Sequence, residues 1–284
     1  MPHAEPSAAR ETLAAGAVEI LTTADPAAKA WRAHALAEAW RYGRIEPGAA
    51  EPPDRPARPA RPLLLAPREM PKRKAGPSLA GRIALLHALA HIELNAIDLA
   101  WDLIARFGSP ELPRAFFDDW VEVGDQEAAH FELLAGRLAE LGAAYGDLPA
   151  HDGLWQAALE TRHDLLARLA IAPLVLEARG LDVTPGMIRS LRRHGDEASA
   201  AALDVIYREE IGHVAAGKRW FDWLAGERGL EPAAAFRDLV QRHFRGRLKP
   251  PFNTAAREAA GMTTAFYSFP LPRFETGEEG GDAA

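Results

Sequence analysis

A pattern stated twice constrains this chain more than any other feature: a glutamate in an apolar helical stripe, followed 33 or 34 residues later by Glu-x-x-His. Glu93 lies in HALAHIELNAIDLAWDL, and Glu127 with His130 follow it. Glu177 lies in LARLAIAPLVLEARG, and Glu210 with His213 follow it. Residues three, four or seven apart share a helix face. Glu93 shares its face with Leu86, Leu89, Ala90, Ile97 and Ala100, and Glu127 with Trp120, Val123, Phe131 and Leu134. Glu177 lines up with Ala170, Leu174 and Leu181, and Glu210 with Leu203, Ile206, Tyr207 and Val214. All four carboxylates therefore point toward a core, where a lone charge is costly unless it is paired or binds a metal. In each Glu-x-x-His the carboxylate and imidazole lie one turn apart on one face, within reach of one ion. We read the six residues as a dinuclear metal site in a four-helix bundle. The alternative is four buried glutamates neutralised by Arg or Lys, for which Arg179 is the one close candidate.

A third Glu-x-x-His tests that reading. Glu160 and His163 have Gln156, Ala157, Asp164 and Ala167 on their face, a mixed solvent stripe. The short motif is therefore weak by itself, and the buried face carries the inference.

Composition narrows the chemistry. The chain has 284 residues, 48% of them hydrophobic, enough for a sizeable core. It contains no cysteine, which excludes disulfides, thiolate catalysis, iron–sulfur clusters and cysteine zinc sites. Forty acidic residues and ten histidines remain as ligands, and they favour hard or borderline metals. A net charge of −7 argues against nucleic acid as the main partner. The N-terminal stretch lacks a basic region leading into a long apolar core, and no stretch approaches 18 uncharged apolar residues. A cytoplasmic protein on no membrane is the expectation.

Read in order, the chain predicts helices over 7–20 and 26–41, the second capped by Asp25 with Pro26 at its first turn. Ala33, Leu36, Ala37 and Trp40 form its apolar stripe, and Trp31 falls off it. The proline-rich stretch 47–77 cannot be regular helix, so an extended strap is expected, pinned by Leu63, Leu64 and Leu65. Ser78 should cap a helix over 79–107, followed by helices over 111–142 and 154–180. Pro173 inside the latter predicts a kink one turn before Glu177. Thr184-Pro185 should start a short helix to His194, and Asp196 a long one to Leu224. Residues 231–245 read as helix, and the end as an irregular arm with a short helix and a flexible tail, ETGEEGGDAA. The fold class is all-α. Three parts are expected: 1–77, helices and strap; 78–226, the four-helix bundle with the metal site; and 227–284, helix and arm.

These residues resemble the ferritin-like di-iron carboxylate proteins, in which one glutamate from each of two helices joins Glu-x-x-His from each of the other two. The full set is present as Glu93, Glu127, His130, Glu177, Glu210 and His213. HIELNAIDLAWDL, PLVLEARGLDVTP, the run from Tyr207 through REEIGHVAAGKRWF, and the KPPFN segment also resemble a bacterial family of ferritin-like proteins of unassigned function, DUF455. That resemblance implies a fold and a site but no substrate. It implies that Glu127 and Glu210 bridge two metal ions, that Glu93 and Glu177 bind one each, and that His130 and His213 supply one nitrogen per ion. Fe(II) suits such a site best, with Mn(II) as the alternative.

The implied function is an O2-activating oxidoreductase, a hydroxylase or oxidase, acting on a small molecule with an external reductant. Iron handling and a non-enzymatic interaction protein with a structural metal are the competing functions; a homodimer is compatible with all three. Asp98, Asp125 and Asp204 are candidate partners for the histidines, and Glu209 is expected in solvent or paired with an arginine. His91 should face away from the site. Tyr207, Arg179 and His87 are the candidate catalytic residues. Arg179 would bind an anionic substrate or pair with Asp182, His87 would line the approach, and Tyr207 would serve redox or gating. Trp101, Trp120, Phe131, Trp220 and Phe221 read as core.

Overall fold

A computed structural model describes residues 12–66, 69–70 and 78–269. It is all-helical: among these residues two isolated β-bridges occur and no strand. Residues 7–11 of the first expected helix, the end of the strap and the tail ETGEEGGDAA lie outside the described residues.

Two N-terminal helices, α1 (Leu13–Thr22) and α2 (Pro26–Arg41), lie on the longer α3 (Leu79–Phe107) and α4 (Arg114–Glu140). The caps fall where the sequence puts them. Asp25 Oδ1 accepts from Ala28 N at 2.8 Å, with Pro26 filling the first turn, and Ser78 Oγ accepts from Gly81 N at 3.2 Å. Ala33, Leu36, Ala37 and Trp40 are buried, whereas Trp31 is exposed. α4 starts three residues later than expected, because Pro113 precedes it and the chain turns from Ser109 to Leu112.

The helix expected over 154–180 is broken. α5 (Gly153–Glu160) ends in a turn, and α6 (Leu165–Ile171) starts afresh with Asp164 as its cap. α6 then widens into a π-helical turn, Ala172–Glu177, and continues as α7 (Ala178–Arg193). Pro173 marks this π-turn in place of a simple kink. Its ring sits against α8 (Glu197–Glu227) at Gly217, where a Cβ would come within 2.4 Å of Pro173 Cβ. α7 also runs through Thr184-Pro185, the expected start of a new helix. Pro185 offers no N–H to the Leu181 carbonyl, and Asn253 Nδ2 from the C-terminal arm donates to that oxygen at 3.0 Å. The orphaned acceptor is thus satisfied from outside the helix. α8 is capped by Asp196 and packs on α4, α6, the π-turn and α7. α9 (Pro232–His243) packs on α6 and α8, and α10 (Thr254–Ala259) on α7 and α8.

The strap is present, but the leucines do not pin it: Leu63 is 66% exposed and Leu64 41%. Polar groups hold it instead. Arg58 pairs with the buried Asp98, which also takes Lys29 of α2. Arg106 donates to Pro53 O at 2.8 Å, Trp155 Nε1 to Asp54 O at 3.1 Å, and Arg55 pairs with Asp152. Backbone bonds Leu65 N→Ala150 O and Ala150 N→Leu63 O complete the seam. Leu63 and Leu64 are exposed and Leu65 is half-buried, so these polar and backbone contacts fasten the strap.

Helix α3 is long and apolar enough to cross a membrane by length and composition, but it carries Glu93, Asp98 and Asp102, and 67% of its most apolar window is buried inside the protein. Trp101, Trp120, Phe131, Trp220 and Phe221 are all core. Asp98→Asn should leave two cations buried without a carboxylate and destabilise the protein by about 3 kcal/mol, read as a lower urea midpoint. Leu63→Ala should change the unfolding free energy by less than about 0.5 kcal/mol.

Candidate metal centre

α3 carries Glu93, α4 carries Glu127 and His130, the π-turn ends on Glu177, and α8 carries Glu210 and His213. Ligand atoms of Glu93, Glu127, His130 and Glu210 all lie within 4.8 Å of one another. His130 Nδ1 is 3.4 Å from Glu127 Oε2, 3.7 Å from Glu93 Oε2 and 3.8 Å from Glu210 Oε1, and it makes no hydrogen bond. Donors placed about 2.1 Å around one octahedral ion lie on the order of 3 to 4 Å apart. His213 Nδ1 stands 3.0 Å from Glu127 Oε1 and 3.6 Å from Glu210 Oε1. Glu127 therefore turns one oxygen to each imidazole. Glu177 joins the other three glutamates along one pocket, and its buried Oε2 has no hydrogen-bond partner, like Glu127 Oε2. Buried acceptors without donors are rare in proteins. Three converging on a small space fit a group of cations with four carboxylate and two imidazole donors.

The outer face of each imidazole strengthens this fit. Glu209 Oε2 accepts from His130 Nε2 at 2.7 Å. Gln126 Oε1 accepts from His213 Nε2 at 2.8 Å. The Gln126 amide is oriented in turn, because its Nε2 donates to Glu122 Oε1 at 2.8 Å and Arg41 holds the other oxygen of Glu122. With both Nε2 atoms held outward, each imidazole turns its Nδ1 inward, where it holds a proton against the carboxylates and, once deprotonated, would offer a lone pair to a cation.

Sequence reasoning missed both partners. Asp98 binds Lys29 and Arg58, Asp125 binds His34 and Arg41, and Asp204 binds Arg192, so none of the three expected carboxylates reaches a site histidine. Glu209 pairs with His130 rather than with solvent or an arginine. The available signal was adjacency: Gln126 and Glu209 each immediately precede a site glutamate, and the neighbour reaches across to the facing helix. His91 faces away, bonded to Tyr145 Oη and the His151 carbonyl, and burial lowers its pKa to about 4. His87 does not line the approach: it is buried, stacks on Tyr145, and its Nε2 accepts from Gly146 N at 2.9 Å. Tyr207 Oη accepts from Asn253 Nδ2 at 2.8 Å, tying α8 to the arm. Arg179 lines the pocket, donates to Lys249 O at 2.7 Å and lies 3.4 Å from Asp182. Glu160 pairs with Arg245 and His163 lies exposed beside His243, so the third Glu-x-x-His stays on the surface.

The pocket that reaches the glutamates has a volume of about 450 Å³. Leu89, Val175 and Leu176 wall it, and Phe244, Leu248 and Phe252 of the C-terminal arm close it.

Without a cation the site holds protons. Burial drives the Glu93 and Glu177 carboxyls well above the usual range, reinforced by neighbouring glutamates. Burial opposes charge on Glu127 too, but His213 and His130 outweigh it and hold that carboxyl well below the usual range. For His130, burial is outweighed by Glu127 and Glu93, and its pKa rises to about 12. His213 is raised in the same way by Glu127 and Glu210. Each raised group must lose a proton to become a ligand. Divalent metal uptake should therefore release protons and tighten as pH rises from 6 to 8, read by calorimetry in buffers of different ionisation enthalpy. Heats that do not depend on the buffer would contradict this. Gln126→Leu should weaken metal binding roughly 10- to 100-fold while leaving the helical circular dichroism unchanged.

Known proteins place the chain without naming an activity. A protein of Haemophilus influenzae (strain ATCC 51907 / DSM 11121 / KW20 / Rd), described as uncharacterized, is 44% identical over 210 residues, 72% of this chain and 73% of that protein. No solved structure matches. Residues 22–268 match the family described as "Protein of unknown function (DUF455)". The match spans Glu93, Glu127, His130, Glu177, Glu210 and His213, and the chain belongs to the DUF455 family.

Proposed function

We propose that this protein is a ferritin-like di-iron carboxylate oxidoreductase that uses O2 and an external reductant to oxidise a small organic molecule. In this reading α3, α4, α6 with its π-turn and α7, and α8 are the four helices of the bundle. Glu93, Glu127, His130, Glu177, Glu210 and His213 hold two metal ions. Four carboxylates offset two divalent charges, and the neutral imidazoles add none. When bound, the two iron ions supply redox chemistry with dioxygen.

One observation carries the reading: the unpartnered carboxylate oxygens and the inward-facing Nδ1 atom of His130 converge at the base of an apolar pocket. A purely structural ion would sit in a closed site. Here the glutamates line a space large enough for an organic molecule, within the roughly 300 to 1,000 Å³ typical of ligand pockets. Its apolar walls favour such a molecule over passage of iron, which strongly hydrated ions would enter poorly. The chain's own residues do three things in this reading. Glu209 and Gln126 fix the imidazole tautomers. The arm, anchored by Asn253 on α7 and α8, excludes water from the pocket. The π-turn ends on Glu177 and turns it into the pocket with the other glutamates.

Protein purified without oxygen and given Fe(II) should bind two iron ions per chain and consume O2 when a reductant is supplied. Glu127→Ala should lose most of the iron and the O2 uptake together. Stoichiometric iron with no O2 uptake under any reductant would leave a structural or storage role and remove this function.

A further inference from the structure

The pocket has a charge order along its depth. Its base is the four glutamates, Glu93 and Glu127 fully buried. Its rim carries Arg179, Arg247 and Lys249, all partly or largely exposed. One further acid lies among the lining residues, Asp182, whose side chain is buried and already neutralised. Arg257 donates to both of its oxygens, at 2.9 and 2.8 Å, and Asn253 N donates to Oδ1 at 2.9 Å. Arg257 is itself buried and covered by Phe252 and Tyr267. That inner pair cancels and leaves Arg179 with only a long contact to Asp182. Among the described residues neither Arg247 nor Lys249 has an ion-pair partner. The rim is therefore cationic in a chain whose net charge is −7. Between rim and base the wall is apolar, with Leu248, Phe252, Met187 and Val175, and the exposed Ile92 stands at the edge.

An occupant complementary to this surface carries an anionic head and an apolar body. The rim cations give the head its partner, and the apolar wall gives the body a place to go. The arm's guanidinium and ammonium groups receive a carboxylate or phosphate; Arg179 is held in position by its bond to Lys249 O. We propose that the pocket binds an organic anion with an apolar chain or ring, head at Arg179, Arg247 and Lys249, body directed toward the glutamates. The assignment rests on the proposed function only for which end of the molecule reacts.

The test titrates the full-length protein with octanoate, octyl phosphate, octan-1-ol and octyltrimethylammonium by calorimetry. Octanoate or octyl phosphate should bind at least about tenfold tighter than the alcohol and the ammonium ion, and added salt should weaken only the anions. The stronger of the two anions identifies the head group. The double variant Arg247→Gln with Lys249→Gln alters exposed side chains and should lower anion affinity about tenfold while leaving octan-1-ol unchanged. Equal binding of all four ligands, preference for the ammonium ion, or anion affinity unchanged in the double variant would overturn the assignment. Iron content and O2 uptake are read on the same sample. Anion selectivity in redox-silent protein keeps this site and removes the oxidoreductase; O2 uptake without anion selectivity does the reverse.

Discussion

Burying four carboxylates and two imidazoles among apolar helices is the constraint on which this structure depends. Each buried charge costs several kcal/mol when left alone. Apart from the imidazoles themselves, no cationic side chain is bonded to any of the four glutamates among the described residues. Arg179 turns instead to Lys249 and Asp182. The cluster keeps itself tolerable by exchanging protons: two carboxyls are held neutral and two imidazoles charged. Buried acids and imidazoles that carry protons of this kind are groups a cation could displace those protons from.

Other ionic groups in the core are treated differently, which makes the contrast informative. Asp98 meets Lys29 and Arg58, Asp102 meets Arg106 and Arg168, and Asp182 meets Arg257. These pairs fasten the strap to α3, α6 to α3, and the arm to α7. Each has its countercharge in place. They hold in position the elements that flank the glutamates, while Glu127 Oε2 and Glu177 Oε2 stay without a hydrogen-bond partner. The arm also builds the pocket wall with its aromatic and aliphatic side chains, and none of the strap residues 47–66 lines it.

The all-helical fold and the approach of Glu93, Glu127, His130 and Glu210 to one another were legible in the sequence because both depend on local periodicity. A 3.6-residue stripe reports its own face, and a glutamate on that face is visible without knowing the neighbours. What escaped was set by contacts between distant segments. Gln126 and Glu209 look like solvent-facing neighbours of ligands until the facing helix is known. Pro185 reads as a helix start, since the bond from Asn253 that lets the helix continue comes from 68 residues further on. Leu63, Leu64 and Leu65 read as anchors by composition, yet Leu63 and Leu64 lie exposed, and the strap is held by ion pairs and backbone bonds to segments distant in sequence. Asp98, Asp125 and Asp204 were correctly placed on site-bearing helices, but each finds a cation on its own side of the helix first.

The most direct test is a crystal structure of the full chain soaked with Fe(II) or Mn(II) without oxygen, with anomalous scattering collected at the metal edge. The account predicts two strong anomalous peaks enclosed by Glu93, Glu127, His130, Glu177, Glu210 and His213, with the Nδ1 atoms of both histidines facing them. A single peak elsewhere, or no peak with the glutamates still paired to the imidazoles alone, would contradict it.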